Sequence, residues 1–399
     1  DKLYSRYLDP YYEVLKKKYP KIGRFSFVRK KESQKEYYFP IIFQNLDHFD
    51  KYIALKNYID YAKNWNKKEN EKISKTFEEV NDLVEQKFKI RPFYSNLIPL
   101  FNETINYKEY FDYLFEKSNV TCVFLECFYD SIKMGLCASA KENEIKVIEI
   151  QHGGAEDNVY VPYIKHNINY SVLPDYFWCW SFSDKDLIKK HNGDFKQLLP
   201  FVGGNMWLKH FMDGKILKPS KKEEDFIKEV RLKYKKVVLV TLQPVFISYN
   251  VIKECIEKAP KDFFFMIRFH PSNSLSERKL FLESIKGLPN IEFEISSTTN
   301  LYYLFKHADF QLTHSSTTAM EALVFNLPTV ICSNYGYDFY KDQIKDEVIL
   351  FTEDPEQINN IFSKAPLLNK EKINYYLIRS NAEEAINNVN EIIFNNNYK

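Results

Sequence analysis

The sequence predicts an α/β protein whose C-terminal half is an open, doubly wound parallel sheet. Three observations predict it. Short apolar runs rich in β-branched and aromatic residues recur from Lys236 to Phe351. Segments of helical periodicity separate these runs, which is the alternation of βαβ units. Four strand ends along the chain close in residues rich in His, Ser, Thr or Gln, and sheets of this kind bind ligands beyond the carboxyl ends of their strands.

Taken in order, residues 1–20 and 50–90 read as charged helices, with a strand expected at 38–43. A helix at 107–117 precedes a strand at 120–128, a helix reaching about Lys141 and a strand at 146–150. That strand ends in Gln151-His152-Gly153-Gly154. Another strand spans 176–180, and Phe201-Val202 runs into Gly203-Gly204-Asn205. Breaks at Met212-Asp213-Gly214-Lys215 and Pro219-Ser220-Lys221-Lys222 set a boundary near 205–220. The expected domains are 1–210 and 211–370, with the helical tail 371–399 returning to the first. In the second domain the strands fall at 236–242, 263–269, 291–295, 309–313, 329–332 and 348–351. The helices between them fall at 251–258, 276–286, 301–307, 317–325 and 355–364. No internal repeat is present.

Composition narrows the function. The chain has 399 residues, 45% hydrophobic and 28% charged, enough to build large cores. A formal charge of +2 gives no global reason for a nucleic-acid partner. No run approaches the ~20 apolar residues of a membrane span, and no signal peptide opens the chain, so the expected location is cytoplasmic. The chain starts at Asp1 rather than Met, so a preceding natural segment is expected. Lys/Arg-rich stretches at 15–31 and 65–75 suit peripheral contact with an anionic inner leaflet; solvated helices explain them equally. The six cysteines form no C-x-x-C pair, which argues against zinc and for free thiols in a reducing compartment. Glycine is scarce, 10 in all, against average usage of ~7%. Four of the ten form the two pairs already named, so those are places of sharp turning or close approach.

The strand ends supply the chemistry. Thr313-His314-Ser315-Ser316-Thr317-Thr318 opens a helix, and its hydroxyls and backbone N–H groups suit a phosphate. The plainer alternative is an ordinary N-cap, which needs only one such residue. Gln243 ends the first strand of this half, and Arg268-Phe269-His270-Pro271 ends the second. His270 can donate to a phosphate or a leaving group, or serve simply as a loop residue. Glu321, on the first turns after the hydroxyl cluster, suits two ribose hydroxyls, or only complements the helix dipole. His152 can deprotonate a hydroxyl, or hydrogen-bond its own turn. Glu126 and Asp130 are alternative bases or structural carboxylates. There is no G-x-G-x-x-G, no P-loop and no nucleophile elbow. Asp184-Lys185-Asp186 reads as an exposed part of a helix capped by Ser183 rather than as a metal motif, and no metal site is expected. Trp178 and Trp180 share one strand face, which suits core packing.

The order Gln-His-Gly, then Arg-x-His-Pro, then Ser-Ser-Thr-Thr-Ala-Met-Glu-Ala-Leu followed by Leu-Pro-Thr-Val resembles GT-B glycosyltransferases of bacterial capsule, lipopolysaccharide and teichoic acid synthesis. The His270-Pro271 and Ser315-Ser316 combination is similar to that of sialyltransferases and Kdo transferases, which use CMP-sugars. His-Gly, His-Pro and Ser-Ser together are also similar to polyglycerolphosphate synthases, which use CDP-glycerol. These motifs lie between Gln151 and Val330. Two departures stand out. Glu156-Asp157 is followed by Asn158 where the sialyltransferase base motif has Gly, and Asn326 replaces the Gly that follows the Glu-Ala-Leu helix.

The resemblance implies two Rossmann-like doubly wound domains facing a cleft, and an inverting, metal-independent transfer from a nucleotide-activated sugar, CMP-linked by preference. The nucleotide-sugar is then a substrate and no cofactor is implied; the acceptor would be a glycan or a lipid-linked glycan. Gln243, Arg268, His270, Ser315, Ser316, Thr317 and Glu321 would hold the donor, with His270 at the leaving phosphate. His152, or else Glu126, would act as base, and Gly153, Gly154, Gly203, Gly204 and Asn205 would line the acceptor side. Alternatives in the same reading are CDP-alditol phosphotransfer, hexosyl transfer from a UDP-sugar, nucleotide-sugar epimerisation, and a GT-B module that only binds.

Overall fold

The computed structural model describes residues 8–19, 67–88, 97–155, 160–164, 171–192, 198–214, 219–243, 249–270, 273–288, 290–364 and 368–394. The expected strand at 38–43, Glu156-Asp157-Asn158, most of the basic stretch at 15–31, Lys215, Pro244, Pro271 and the asparagines at 395–397 lie outside them. The fold is α/β with two sheets.

The first sheet has the order β1-β2-β3-β4, with β1 at Cys122–Leu125, β2 at Lys146–Ile150, β3 at Tyr176–Cys179 and β4 at Leu199–Val202. β1 and β2 run parallel, with Cys122 opposite Lys146 and Leu125 opposite Glu149. The helices Leu97–Glu116 and Ser131–Glu142 pack against each other.

The second sheet has six strands in the order β10-β9-β8-β5-β6-β7. They are β5 (Lys236–Thr241), β6 (Phe263–Arg268), β7 (Ile291–Glu292), β8 (Phe310–Thr313), β9 (Thr329–Ile331) and β10 (Leu350–Phe351). All five neighbouring pairs are parallel. The chain starts in the middle at β5 and winds outward through β6 and β7. It then returns to the other side of β5 and winds outward through β8, β9 and β10. The reversal falls between β5 and β8.

Strand alternation explains why this sheet is covered on both faces. Val237, Leu239, Phe264 and Met266 join one buried cluster. Val238, Val240, Phe263, Phe265, Ile267, Phe310 and Leu312 join another. Successive residues point to opposite faces, so continuous apolar strands feed two cores. Each fully buried side chain of this size contributes about 1.5–3 kcal/mol.

Local chemistry sets several boundaries. The strand expected at 291–295 stops at Glu292, because its carboxylate accepts from the N–H groups of Ile295 and Ser296 and turns the chain into the helix Glu294–Thr298. The helix Phe182–His191 is capped by Ser181, not Ser183: Asp184 N donates to Ser181 Oγ, and the Asp184 carboxylate accepts from Ser181 N at 3.1 Å and Ser181 Oγ at 2.7 Å. Asp184 is therefore engaged in a capping box rather than exposed, and burial pushes its carboxyl up to about 6 although Ser181 and Gln151 hydrogen bonds hold it down. Asn326 has φ +53°, the left-handed conformation that asparagine tolerates better than most residues, so it fills the turn for which the similar family uses Gly.

By packing, the chain divides into two compact units. One comprises Asp1–Ile150, Ile168–Phe177 and Val389–Lys399; the other comprises Gln151–Asn167 and Trp178–Asn388. The tail forms two helices, Lys370–Tyr376 and Ala382–Phe394, and the end of the second returns to the N-terminal unit. There Tyr19 OH donates to Asn390 Oδ1 at 2.6 Å and Lys146 Nζ donates to the Ile392 carbonyl. No helix among the described residues is long and apolar enough to cross a membrane.

Candidate functional site

In a doubly wound sheet the crevice opens where the winding reverses, so the residues after β5 and β8 are the place to look. The Ser/Thr turn is there. Ser315 and Ser316 are each 6% exposed and Thr317 is half-buried. Thr317 occupies the N-cap position of the helix Thr318–Leu323 in a helical conformation and makes no side-chain cap. The ordinary N-cap alternative accounts for Ser316, whose Oγ accepts from Thr318 N at 3.3 Å, but not for Thr317.

Gln243 binds the strand ends together. Its Oε1 accepts from Ser315 N at 3.0 Å and from Ser315 Oγ at 2.7 Å. Its backbone carbonyl accepts from Tyr249 OH at 2.9 Å and from Asn273 Nδ2 at 3.4 Å, and Asn273 Oδ1 accepts from His270 N at 2.9 Å. The loops after β5, β6 and β8 thus share one network. Both donors of Ser315 are committed to Gln243, which leaves Ser316 and Thr317 as the hydroxyl donors of the turn.

Glu321 is 6% exposed and lies one turn into the helix. Its Oε1 accepts from the hydroxyl of Tyr302, itself 1% exposed. A buried carboxylate held by a phenol is a fixed acceptor for hydroxyls. Arg268 donates to the carbonyls of Ser296 at 2.8 Å and Thr299 at 2.5 Å, so its guanidinium struts the segment after β7. His270 is exposed and accepts at its carbonyl from Arg278 at 3.3 Å.

The Gln-His-Gly-Gly turn belongs to the same unit. Gln151 is 2% exposed; its Nε2 donates to the Gly153 carbonyl at 2.7 Å and its Oε1 accepts from Trp180 N at 2.7 Å. His152 Nδ1 pairs with the buried Tyr160 hydroxyl at 2.8 Å, their rings edge to face. Gly154 is buried. A Cβ on Gly153 would meet Thr317 Cγ2 at 3.9 Å, so the His-Gly turn lies directly against the hydroxyl turn. The structure brings His152, Gly153, Gln243, Ser315, Ser316, Thr317 and Glu321 into one region at the switch point.

The second glycine pair is used differently. A Cβ on Gly203 would fall 2.2 Å from Trp178 Cε2, and Gly204, at φ +78°, lies against the Arg379 carbonyl. Arg379 N donates to the Trp180 carbonyl, and Asn205 N donates to that of Arg379, which lace the crossing segment to the ends of β3 and β4. Asn205 caps the helix Met206–Met212 through Trp207 N and Leu208 N.

Glu126 lies in the N-terminal unit, after β1. Burial raises its carboxyl above the usual range while Lys133 pulls it down, and Oε2 is buried with no hydrogen bond. Glu149, fully buried on β2, is pushed higher still by burial; its Oε1 accepts from the N–H of Cys127, a residue at φ +57°. Asp130 caps the helix Ser131–Glu142 and pairs with Lys133 at 2.6 Å. Among the described residues no group of three or more His, Cys, Asp or Glu side chains is arranged to hold a metal.

Sequence reasoning missed Tyr302, Tyr160, Thr241, Gln311 and Thr329. One signal was present: Gln311 interrupts the apolar run of a fully buried strand, and a buried amide must be hydrogen-bonded to something specific. Tyr302 and Tyr160 carried none, since the chain has 29 tyrosines.

No family model and no curated protein matches the chain in sequence. Solved structures match its fold. S. aureus MnaA in complex with UDP superposes with a TM-score of 0.50 at 14% identity, covering 80% of this chain and 87% of that one. The UDP-GlcNAc 2-epimerase of Neisseria meningitidis bound to UDP-GlcNAc gives 0.51 at 18%, covering 72% and 81%. A UDP-N-acetylglucosamine 2-epimerase-like protein of Listeria monocytogenes gives 0.50 at 11%, covering 72% and 76%. The fold is of the GT-B type that these structures share.

Proposed function

We propose that this protein binds a UDP-sugar through the hydroxyl turn after β8 and acts on it as a nucleotide-sugar epimerase. The turn carries the reading: Ser316 and Thr317 stand at the switch point, the Thr317 hydroxyl caps no helix, Glu321 is fixed one turn on, and the His152 turn packs against them. Thr317 and Ser316 would receive the diphosphate and Glu321 the ribose. The shared fold of structures that hold UDP and UDP-GlcNAc supports uridine over cytidine. Developing negative charge on the departing phosphate would be met by these hydroxyls, with Ser316 Oγ already held by Thr318 before the ligand arrives.

A second reading is sugar transfer to a glycan or lipid-linked glycan of a bacterial surface polymer. The His152–Tyr160 pair favours it, because an imidazole held by a buried phenol beside a glycine turn suits deprotonation of an acceptor hydroxyl. The CMP- and CDP-linked donors implied by the motif resemblance belong to this second reading.

Incubation with UDP-GlcNAc, followed by proton NMR of the anomeric region, separates the two. A second UDP-sugar, or free sugar with UDP, supports epimerase-type chemistry. Unchanged UDP-GlcNAc that is consumed once a glycan acceptor is added supports transfer. Neither turnover nor line broadening with UDP-GlcNAc or UDP would overturn the nucleotide site.

A further inference from the structure

We infer that Gln311 is a positioning residue: through Thr318 it leaves Ser316 no role but that of hydrogen-bond donor to a phosphate oxygen. The inference rests on the nucleotide site just proposed and names the device that organises it.

The chain of reasoning begins on β8 and β9, away from any ligand. Gln311 is completely buried. Thr329 Oγ1 donates to Gln311 Oε1 at 2.9 Å, nearer than its other acceptor, the Leu327 carbonyl at 3.4 Å. The amide nitrogen then donates both its protons, to Thr241 Oγ1 at 2.9 Å and to Thr318 Oγ1 at 2.7 Å. Thr318 Oγ1 has one proton and gives it to Ser316 Oγ at 2.9 Å. In the Thr241–Thr318 pair, 3.2 Å apart, Thr241 is then the donor. Thr318 Oγ1 thus holds two incoming protons, from Gln311 and Thr241, which fill its two lone pairs. Ser316 Oγ also accepts from Thr318 N at 3.3 Å. Both acceptor positions of Ser316 are thereby filled. Its remaining proton has no acceptor among the described residues, so it is available to a ligand.

A free serine hydroxyl rotates and can present a lone pair to an anion as readily as a proton. Here that choice has been removed before binding. The ordering entropy is met on folding, and an anion encounters a donor already aimed. Ser315 forms the contrast, since its proton and its N–H both go to Gln243. The network also discriminates by hydrogen-bonding sense. An acceptor such as a phosphate oxygen can take the Ser316 proton, whereas a ligand group that could only donate would find no lone pair there.

The test is a double-mutant cycle read by calorimetry with UDP and with uridine. Thr318→Val keeps the side-chain shape and removes the relay. It is expected to weaken UDP about three- to tenfold, the worth of one neutral hydrogen bond, and to leave uridine within twofold. Thr318→Ser restores the relay and is expected to restore UDP affinity. Ser316→Ala is expected to weaken UDP by a similar factor, and Ser316→Ala/Thr318→Val to be no weaker than Ser316→Ala alone, because the threonine acts only through the serine. Gln311→Met provides a second break in the same relay, with its melting temperature recorded. Additive losses in the double variant, or equal losses for uridine and UDP, would overturn the relay. A wild-type protein that binds UDP no better than uridine would overturn the phosphate site itself, and the relay with it.

Discussion

Removing the Tyr302 hydroxyl tests how Glu321, the carboxylate proposed to take the ribose, is held. Tyr302 is 1% exposed and Glu321 6%, so neither can replace their mutual hydrogen bond with bulk water. Tyr302→Phe preserves the ring and its contacts with Phe211 at 5.2 Å and Phe325 at 5.6 Å between centroids. The change is therefore confined to one hydroxyl. A hydrogen bond to a charged group contributes about 1.5–3 kcal/mol. In a unit of this size each kcal/mol shifts the melting temperature by about 2–4 °C, so a fall of about 3–12 °C is expected. Because the carboxylate loses its fixed orientation, UDP affinity should fall about three- to tenfold. Differential scanning calorimetry gives the first quantity and isothermal titration the second. A Tyr302→Phe protein that melts within 1 °C of wild type, on the scale of ~2–4 °C per kcal/mol, and binds UDP equally would refute the argument.

Three further outcomes follow from the geometry. Gly203→Ala should destabilise by about 1–3 kcal/mol or more in urea unfolding, because its methyl would overlap the fully buried Trp178 ring; an unchanged midpoint would contradict that packing. Glu149 has its carboxyl raised by burial, with Glu126 adding repulsion and the Cys127 N–H opposing it, so its contribution to stability is fully present below the usual glutamate range and is lost as pH rises through the raised value. Glu149→Gln should therefore gain on wild type as pH rises from about 5 to 9 in denaturation curves, and parallel curves would refute the sign. Tyr160→Phe should leave UDP affinity unchanged while lowering turnover about tenfold, since it removes a hydrogen bond to the His152 imidazole; equal turnover would exclude the Tyr160 hydroxyl as a group that orients a His152 base.

The second sheet was legible because its strands are continuous apolar runs and its strand ends are polar. The first follows from a sheet buried on two faces, the second from strand ends whose loops meet at one edge. The hydroxyl turn and Glu321 stand out in the sequence for that second reason, and their ligand role is the proposal above. The roles within the turn were not legible. Whether Ser315 or Ser316 offers a proton depends on Gln243, 72 residues from Ser315 and bonded to it directly, and on Gln311, which reaches Ser316 through Thr318, and both links form only on folding. Arg268 looks like a ligand-binding cation in sequence, yet it braces two carbonyls, a use that leaves no local pattern. Gly203 and Gly204 stand out in the sequence as points of close approach, but what approaches them is an indole and a crossing segment 175 residues beyond Gly204. Asp184 was misplaced by one cap: Ser181 and Ser183 are equally good caps in sequence, and the end of β3 decides between them.

The central claim is that the turn after β8 holds the diphosphate of a uridine nucleotide. The most direct measurement is calorimetric titration of wild type and Ser316→Ala with UDP and CMP. The account predicts UDP binding several-fold tighter than CMP in the wild type, and a three- to tenfold loss for UDP in Ser316→Ala, about one hydrogen bond's worth. Preference for CMP, or a UDP affinity indifferent to Ser316, would contradict it.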